Sequence, residues 1–139
     1  MTGRESLSAS LPFAVMVTGS RDWPSDEWHA IYSALDDFAD AHEGSFHLLH
    51  GGAMGPDSWA AEWAKSSPRV EEVWLYKPKY DLHGTRAPHV RNDLMLREAR
   101  HVIAFWDGKS RGTESVIAKA QKLGLAYEVH SPRGVYVEV

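Results

Sequence analysis

The chain has 139 residues, about one domain's length, and its 43% hydrophobic and 24% charged residues are the balance of a soluble globular protein; no apolar run approaches the roughly 18 residues of a spanning helix. It has no cysteine, which excludes a disulfide framework and thiolate chemistry and suits a cytoplasmic protein. The net charge of -4 is uneven: residues 1–66 hold ten acids against three bases, and residues 67–139 hold nine against twelve.

Residues 1–10, MTGRESLSAS, lack periodicity and are expected to be a flexible tail ahead of one domain over 11–139. The following LPFAVMV leads into TGSRDW without a small-residue cleavage pattern, so it reads as a strand rather than a signal peptide. Phe13 to Thr18, closed by Gly19, has the apolar character of a strand buried on both faces. After Pro24 and Ser25, Trp28, Ile31, Leu35 and Phe38 recur at helical spacing, with Asp26 and Glu27 in the first turn, predicting an amphipathic helix that ends near Gly44.

Phe46 to His50 is a second strand, ending in Gly51 and Gly52, and Pro56 opens a helix to Lys65, because proline suits a first helical turn. Val70 to Tyr76 predicts a third strand and Lys77 to Thr85 a loop. A third helix is expected from Pro88 to Ala99 with Val90, Leu94 and Ala99 inward, then an apolar strand from Val102 to Trp106. Beyond DGKSRG, a fourth helix runs from Thr113 to Leu123, with Val116, Ala120 and Leu123 on one face and Gly124 as its stop. Leu125 to Val129 and Val135 to Val139 are the last strand candidates. Alternating strands and helices predict a single Rossmann-like, doubly wound α/β domain with a mostly parallel sheet.

In such a sheet ligands bind beyond the C-terminal ends of the strands. Three glycine-bearing loops should converge there: Gly19-Ser20-Arg21, Gly51-Gly52-Ala53-Met54-Gly55, and Gly108-Lys109-Ser110-Arg111-Gly112-Thr113. Glycine lets backbone amides approach an anion, and each following helix adds unpaired donors, so the loops read as a phosphate site or as merely tight turns. Neither a GxGxxG nor a GxxxxGK[ST] fingerprint occurs. The basic stretch from His83 to Arg111 would draw an anionic ligand, or is a solvated basic surface.

Four ordered stretches, VTGSRDW, HGGAMGPDSWAAEWA, YDLHGTRAPHVRNDLM and VIAFWDGKSRGTESVIAKA, resemble the YspA-like, cpYpsA-related branch of the SLOG superfamily over residues 13 to 130. That superfamily joins the DNA-processing protein DprA to the LOG phosphoribohydrolases. The resemblance implies a Rossmann-like fold, a nucleotide or nucleotide-derived ligand and a homodimer. Arg91 resembles in placement the LOG arginine that flanks the N-glycosidic bond, and Gly112 and Thr113 match the GT of PGGxGTxxE. The position of that motif's glutamate, however, is Val116, and Glu114 sits two positions away, about 200° round the helix. These departures count against a LOG-type hydrolase.

Arg91 and Arg111 are the best phosphate ligands among the side chains, because guanidinium forks match phosphate oxygens; a surface salt bridge is the alternative for each. Ser20 and Arg21 fit either a turn or a phosphate. Asn92 would position a loop or a ligand, Asp57 would cap the second helix or hold a ribose hydroxyl, and Trp106 would stack on a base or pack in the core. Asp107 and Glu114 are the remaining candidates for an acid/base pair. His47 and His50 point to opposite faces of their strand, and there is no GxSxG elbow, so no metal, cofactor or serine nucleophile is expected. The expected function is binding of a nucleotide or nucleotide-derived small molecule. The alternative is an N-glycosidase of nucleoside monophosphates using Arg91 with Glu114 or Asp107. Single-stranded nucleic-acid binding is the weaker third reading.

Overall fold

The computed structural model describes residues 12–133. The tail over 1–10 and the strand expected at Val135 to Val139 lie outside them. Five strands form one sheet in the order β3-β2-β1-β4-β5: β1 (Ala14–Gly19), β2 (Phe46–His50), β3 (Val70–Leu75), β4 (His101–Phe105) and β5 (Ala126–His130). Every neighbouring pair is parallel. The helices are α1 (Trp28–Ala41), α2 (Pro56–Ala64), α3 (Ala87–Glu98) and α4 (Arg111–Leu123); a single helical turn, Tyr80–His83, precedes α3.

Alternate residues of the central strands feed two separate cores. Val15, Val17, Leu48, Ile103 and Phe105 pack under α1 and α2, against Ile31, Leu35, Ala60 and Trp63. Met16, Leu49 and Val102 pack under α3 and α4, against Met95, Leu96, Val116 and Ala120. The sheet is therefore covered on both faces, which is why β1 and β4 read as unbroken apolar runs. The chain moves from β1 outward to β3, then crosses back to β4 on the other side of β1, so the topology reverses between β1 and β4. A crevice opens at such a reversal, beyond the C-terminal strand ends.

Three inward assignments shift. Leu94 is exposed, and Met95 and Leu96 carry the α3 contact. Leu123 is exposed at the last turn of α4, where Ile117 joins the buried face instead. Trp28, at the first turn of α1, is also exposed; it lies 5.7 Å from the Trp59 ring in a stacked pair across α1 and α2.

Candidate functional site

At the topological reversal lies a cleft of about 1030 Å³. It is lined from the loop after β1 by Gly19, Arg21 and Asp22, and from the loop after β2 by Gly51, Gly52, Ala53 and Asp57. Arg91, Asn92 and Met95 line it from α3, and Asp107, Lys109, Ser110, Gly112 and Thr113 from the segment after β4. The glycine loops after β1, β2 and β4 thus converge as the alternating pattern implied.

The loops differ in what they offer. After β2, the first three amides of the loop, those of Gly51, Gly52 and Ala53, have partners within the protein. Gly51 N and Ala53 N both donate to Asp57 Oδ2, at 2.9 and 3.3 Å, and Gly52 N donates to His50 Nδ1 at 3.1 Å. Because Nδ1 accepts, the His50 proton belongs on Nε2; burial, and then the Arg91 charge, lower its pKa and keep the ring neutral. Asp57 is buried at the start of α2, behind Pro56, which has no N–H to donate. Burial raises its carboxyl to about 6, against the two amide bonds and the Arg91 charge that pull the other way.

Arg91 reaches across this loop. Its Nη1 donates to Gly51 O at 2.7 Å and to Tyr76 O at 3.3 Å, and its Nε donates to Asn92 Oδ1 at 2.7 Å. The guanidinium ties α3 to the ends of β2 and β3, and only Nη2 is left for anything in the cleft. Burial lowers its pKa, with Asp57 opposing.

The segment after β4 is built the other way. Asp107 Oδ1 accepts the amides of Lys109 and Ser110, at 2.9 and 2.8 Å, and Asp107 N donates to the hydroxyl of fully buried Ser20 at 3.1 Å. Burial would raise the Asp107 pKa, but these amides and the Ser20 hydroxyl outweigh it and hold the carboxylate below its ordinary range. The turn ends at Ser110, whose hydroxyl meets the Thr113 hydroxyl at 3.3 Å but takes no backbone amide of the first turn of α4. The amides of Gly112 and Thr113 are therefore open donors at the positive end of a 13-residue helix, and Gly112 has open space where a side chain would stand.

Of the residues singled out from sequence, Ser20, Gly55, Gly108, Arg111 and Glu114 do not line the cleft. Ser20 acts behind the wall through Asp107, whereas Arg111 and Glu114 are exposed on the first turn of α4. Glu114 and Asp107 are thus not brought together in the cleft. Trp106 packs in the core with Ala104 and Ile117, its Nε1 donating to Ser110 O at 3.0 Å. Sequence reasoning named Lys109 only within its loop, and missed Asp22, Tyr80 and the prolines at 24, 78, 88 and 132 as wall residues and His50 as an acceptor. Pro24 and Pro88 read only as helix starts, and Pro78 and Pro132 lie in segments that read as connections. No group of three metal-ligating side chains occurs among the described residues, and none of their helices is long and apolar enough to cross a membrane.

An open crevice at the switch point of a doubly wound parallel sheet, with a helix N-terminus facing into it, defines a Rossmann-like domain. The chain belongs to the YspA, cpYpsA-related SLOG family, whose model matches residues 13–83. It is 33% identical over 117 residues to the Gene 61 protein of Mycobacterium phage D29, covering 80% of this chain and 90% of that one. The fold is similar to DNA processing protein A from Helicobacter pylori, solved in a study of its single-stranded DNA binding mode. The TM-score is 0.67 at 18% identity, over 92% of this chain and 70% of the other.

Proposed function

We propose that this protein binds a nucleotide or nucleotide-derived, phosphate-bearing small molecule in the cleft, with phosphate at the start of α4. The observation that carries this reading is the uncapped first turn of α4, with Gly112 and Thr113 opening on a cleft that also presents Arg21 and Lys109. Helix N-terminal amides and nearby cations are the usual provision for phosphate. The volume, about 1030 Å³, is at the upper end for small-molecule sites and accommodates a nucleotide. In this reading Gly19, Gly51, Gly52, Ala53 and Asn92 shape the walls, and Arg91 holds the β2 loop while offering Nη2. The fold similarity to a protein whose single-stranded DNA binding mode was the subject of its structural study keeps a nucleic-acid ligand in the comparison. Asp22, Asp57 and Asp107 in the same cleft disfavour a polyanionic strand.

The test is native mass spectrometry of freshly purified protein for a co-purified phosphate compound. Thermal-shift assays with nucleoside monophosphates and an oligothymidylate follow. Stabilisation by monophosphates, lost in Lys109→Ala and Arg21→Ala, is expected. Stabilisation by the oligonucleotide alone, with steep salt dependence, overturns the small-molecule reading, and release of free base moves it to N-glycoside hydrolysis. We also propose a homodimer, supported by the exposed Val73, Trp74 and Leu75 on edge strand β3 beside exposed Leu82 and Leu94. A cytoplasmic setting accords with the absence of cysteine.

A further inference from the structure

Asp57 is the buried charged group of the cleft that phosphate binding leaves without a task. It is 5% exposed, yet it lines the cleft. Both of its bonds fall on one oxygen: Oδ2 takes the amides of Gly51 and Ala53, which fixes the carboxylate plane. Oδ1 takes no hydrogen bond from the protein. It is not sealed in either, since it is not among the buried side-chain atoms left without a hydrogen bond in the described residues. Oδ1 therefore borders the cleft as a fixed, acceptor-only position. Arg91 does not fill it, because Nη1 and Nε are committed to Gly51 O, Tyr76 O and Asn92 Oδ1, and no ion pair joins Arg91 to Asp57 among the described residues.

A carboxylate oxygen repels a second anion and meets a hydrogen-bond donor or a cation; no group of three metal-ligating side chains surrounds it among the described residues, which leaves the donor. Asp57 belongs to the β2 side of the cleft and the open amides of α4 to the β4 side, with β1 between them. Two strand spacings make that separation on the order of 10 Å. A sugar 5-phosphate spans such a distance from its phosphate to its far hydroxyls, with a hydrogen bond at each end.

We infer that Asp57 is a ligand-binding, specificity-determining residue: its free Oδ1 accepts a hydrogen bond from a sugar hydroxyl, so the cleft takes ribonucleotides in preference to analogues lacking the diol. The inference rests on the phosphate reading above. It is tested by calorimetric titration of wild type and Asp57→Asn with the four ribonucleoside 5′-monophosphates, their 2′,3′-dideoxy counterparts and inorganic phosphate. In wild type the dideoxy compounds are expected to bind about tenfold to hundredfold more weakly, the range for a hydrogen bond to a charged group. In Asp57→Asn the two series should converge while inorganic phosphate binds as before. Equal affinity of both series for wild type, or discrimination that follows the base and not the sugar, overturns the inference and leaves the phosphate reading standing. Failure of every phosphate compound to bind removes both. If Asp57→Asn does not fold, the wild-type comparison of the two series decides alone.

Discussion

Gly51 has no side chain because the Arg91 guanidinium occupies the space a Cβ would take. Gly19 is bare for a related reason, since Pro56 at the start of α2 closes on the end of β1 there. Neither residue has a positive φ, so the requirement is close approach and not backbone conformation. Gly51→Ala should therefore cost about 1 kcal/mol, because the flexible Arg91 side chain swings aside and gives up its bonds to Gly51 O and Tyr76 O, read as a lower urea midpoint with unchanged slope. Gly112→Ala should do the opposite. Its site is open, and alanine favours a helix by about 0.5–1 kcal/mol, so the variant should be more stable yet bind phosphate compounds less well. A glycine in the sequence does not say whether its space is filled: Arg91 fills it at Gly51 in the β2 loop, and the space at Gly112 after β4 is open. Asp57 was similarly half legible. A carboxylate at the start of a helix is an ordinary cap, but with proline ahead of it this one turns back to the amides of the preceding loop. Its pKa of about 6, above the ordinary 3.8, sets a sign. The native state holds the proton more tightly than the unfolded chain, so this group's stabilisation is full below pH 3.8 and is lost as pH rises through 6. The loss is on the order of 3 kcal/mol. Denaturation of wild type at pH 4 and pH 7 should show that fall, and Asp57→Asn should not.

Elements were more readable than their faces. Periodicity located α1 and α4 because each lays one apolar face on the sheet, prolines marked the starts of α2 and α3, and apolar runs located β1 and β4 because both their faces are buried. The stripe on α3 was misplaced because Val90, Leu94, Met95, Leu96 and Ala99 surround much of the helix, leaving several stripes to choose from. Packing against β1 and β4 selects Met95, Leu96 and Ala99. Strand β5 carries a pairing that periodicity cannot show: Glu128 lies 3.4 Å from His101 on β4 and 3.4 Å from His130 on its own strand. Burial would raise the Glu128 pKa, but the hydrogen bonds and charges of the two histidines outweigh it and bring the carboxyl from its ordinary 4.5 to about 2. The sign is the reverse of Asp57: stability is present above pH 4.5 and lost as pH falls through 2. Discounted for a side chain about one-third exposed, Glu128→Gln should cost on the order of 1–2 kcal/mol at pH 6 and almost nothing near pH 2, by guanidinium denaturation at both.

The doubly wound architecture puts the cleft where β1 and β4 diverge, and that much follows from alternation of strands and helices. Which strands become edges does not, since strand order is set by crossovers that leave no local mark. Among the described residues β3 and β5 are the edges, and β3 emerges exposed nearly throughout. Parallel edge strands with apolar side chains recruit further chain unless covered. Val73, Trp74 and Leu75 are each 43–50% exposed, and Leu82 at 68% and Leu94 at 45% lie beside a groove of about 300 Å³ on the same side. Glu71 and Glu72 at the start of the strand limit indefinite strand addition, because like charges oppose extended self-pairing, whereas a closed two-fold contact through Trp74 and Leu94 buries the apolar part. Sedimentation velocity should therefore show a dimer at micromolar concentration, and Trp74→Lys with Leu94→Lys should return it to monomer with the thermal midpoint of the isolated domain intact. Ligand affinity should be unchanged in that variant, because neither residue lines the large cleft. A wild-type monomer up to hundreds of micromolar would leave this face to some other occupant.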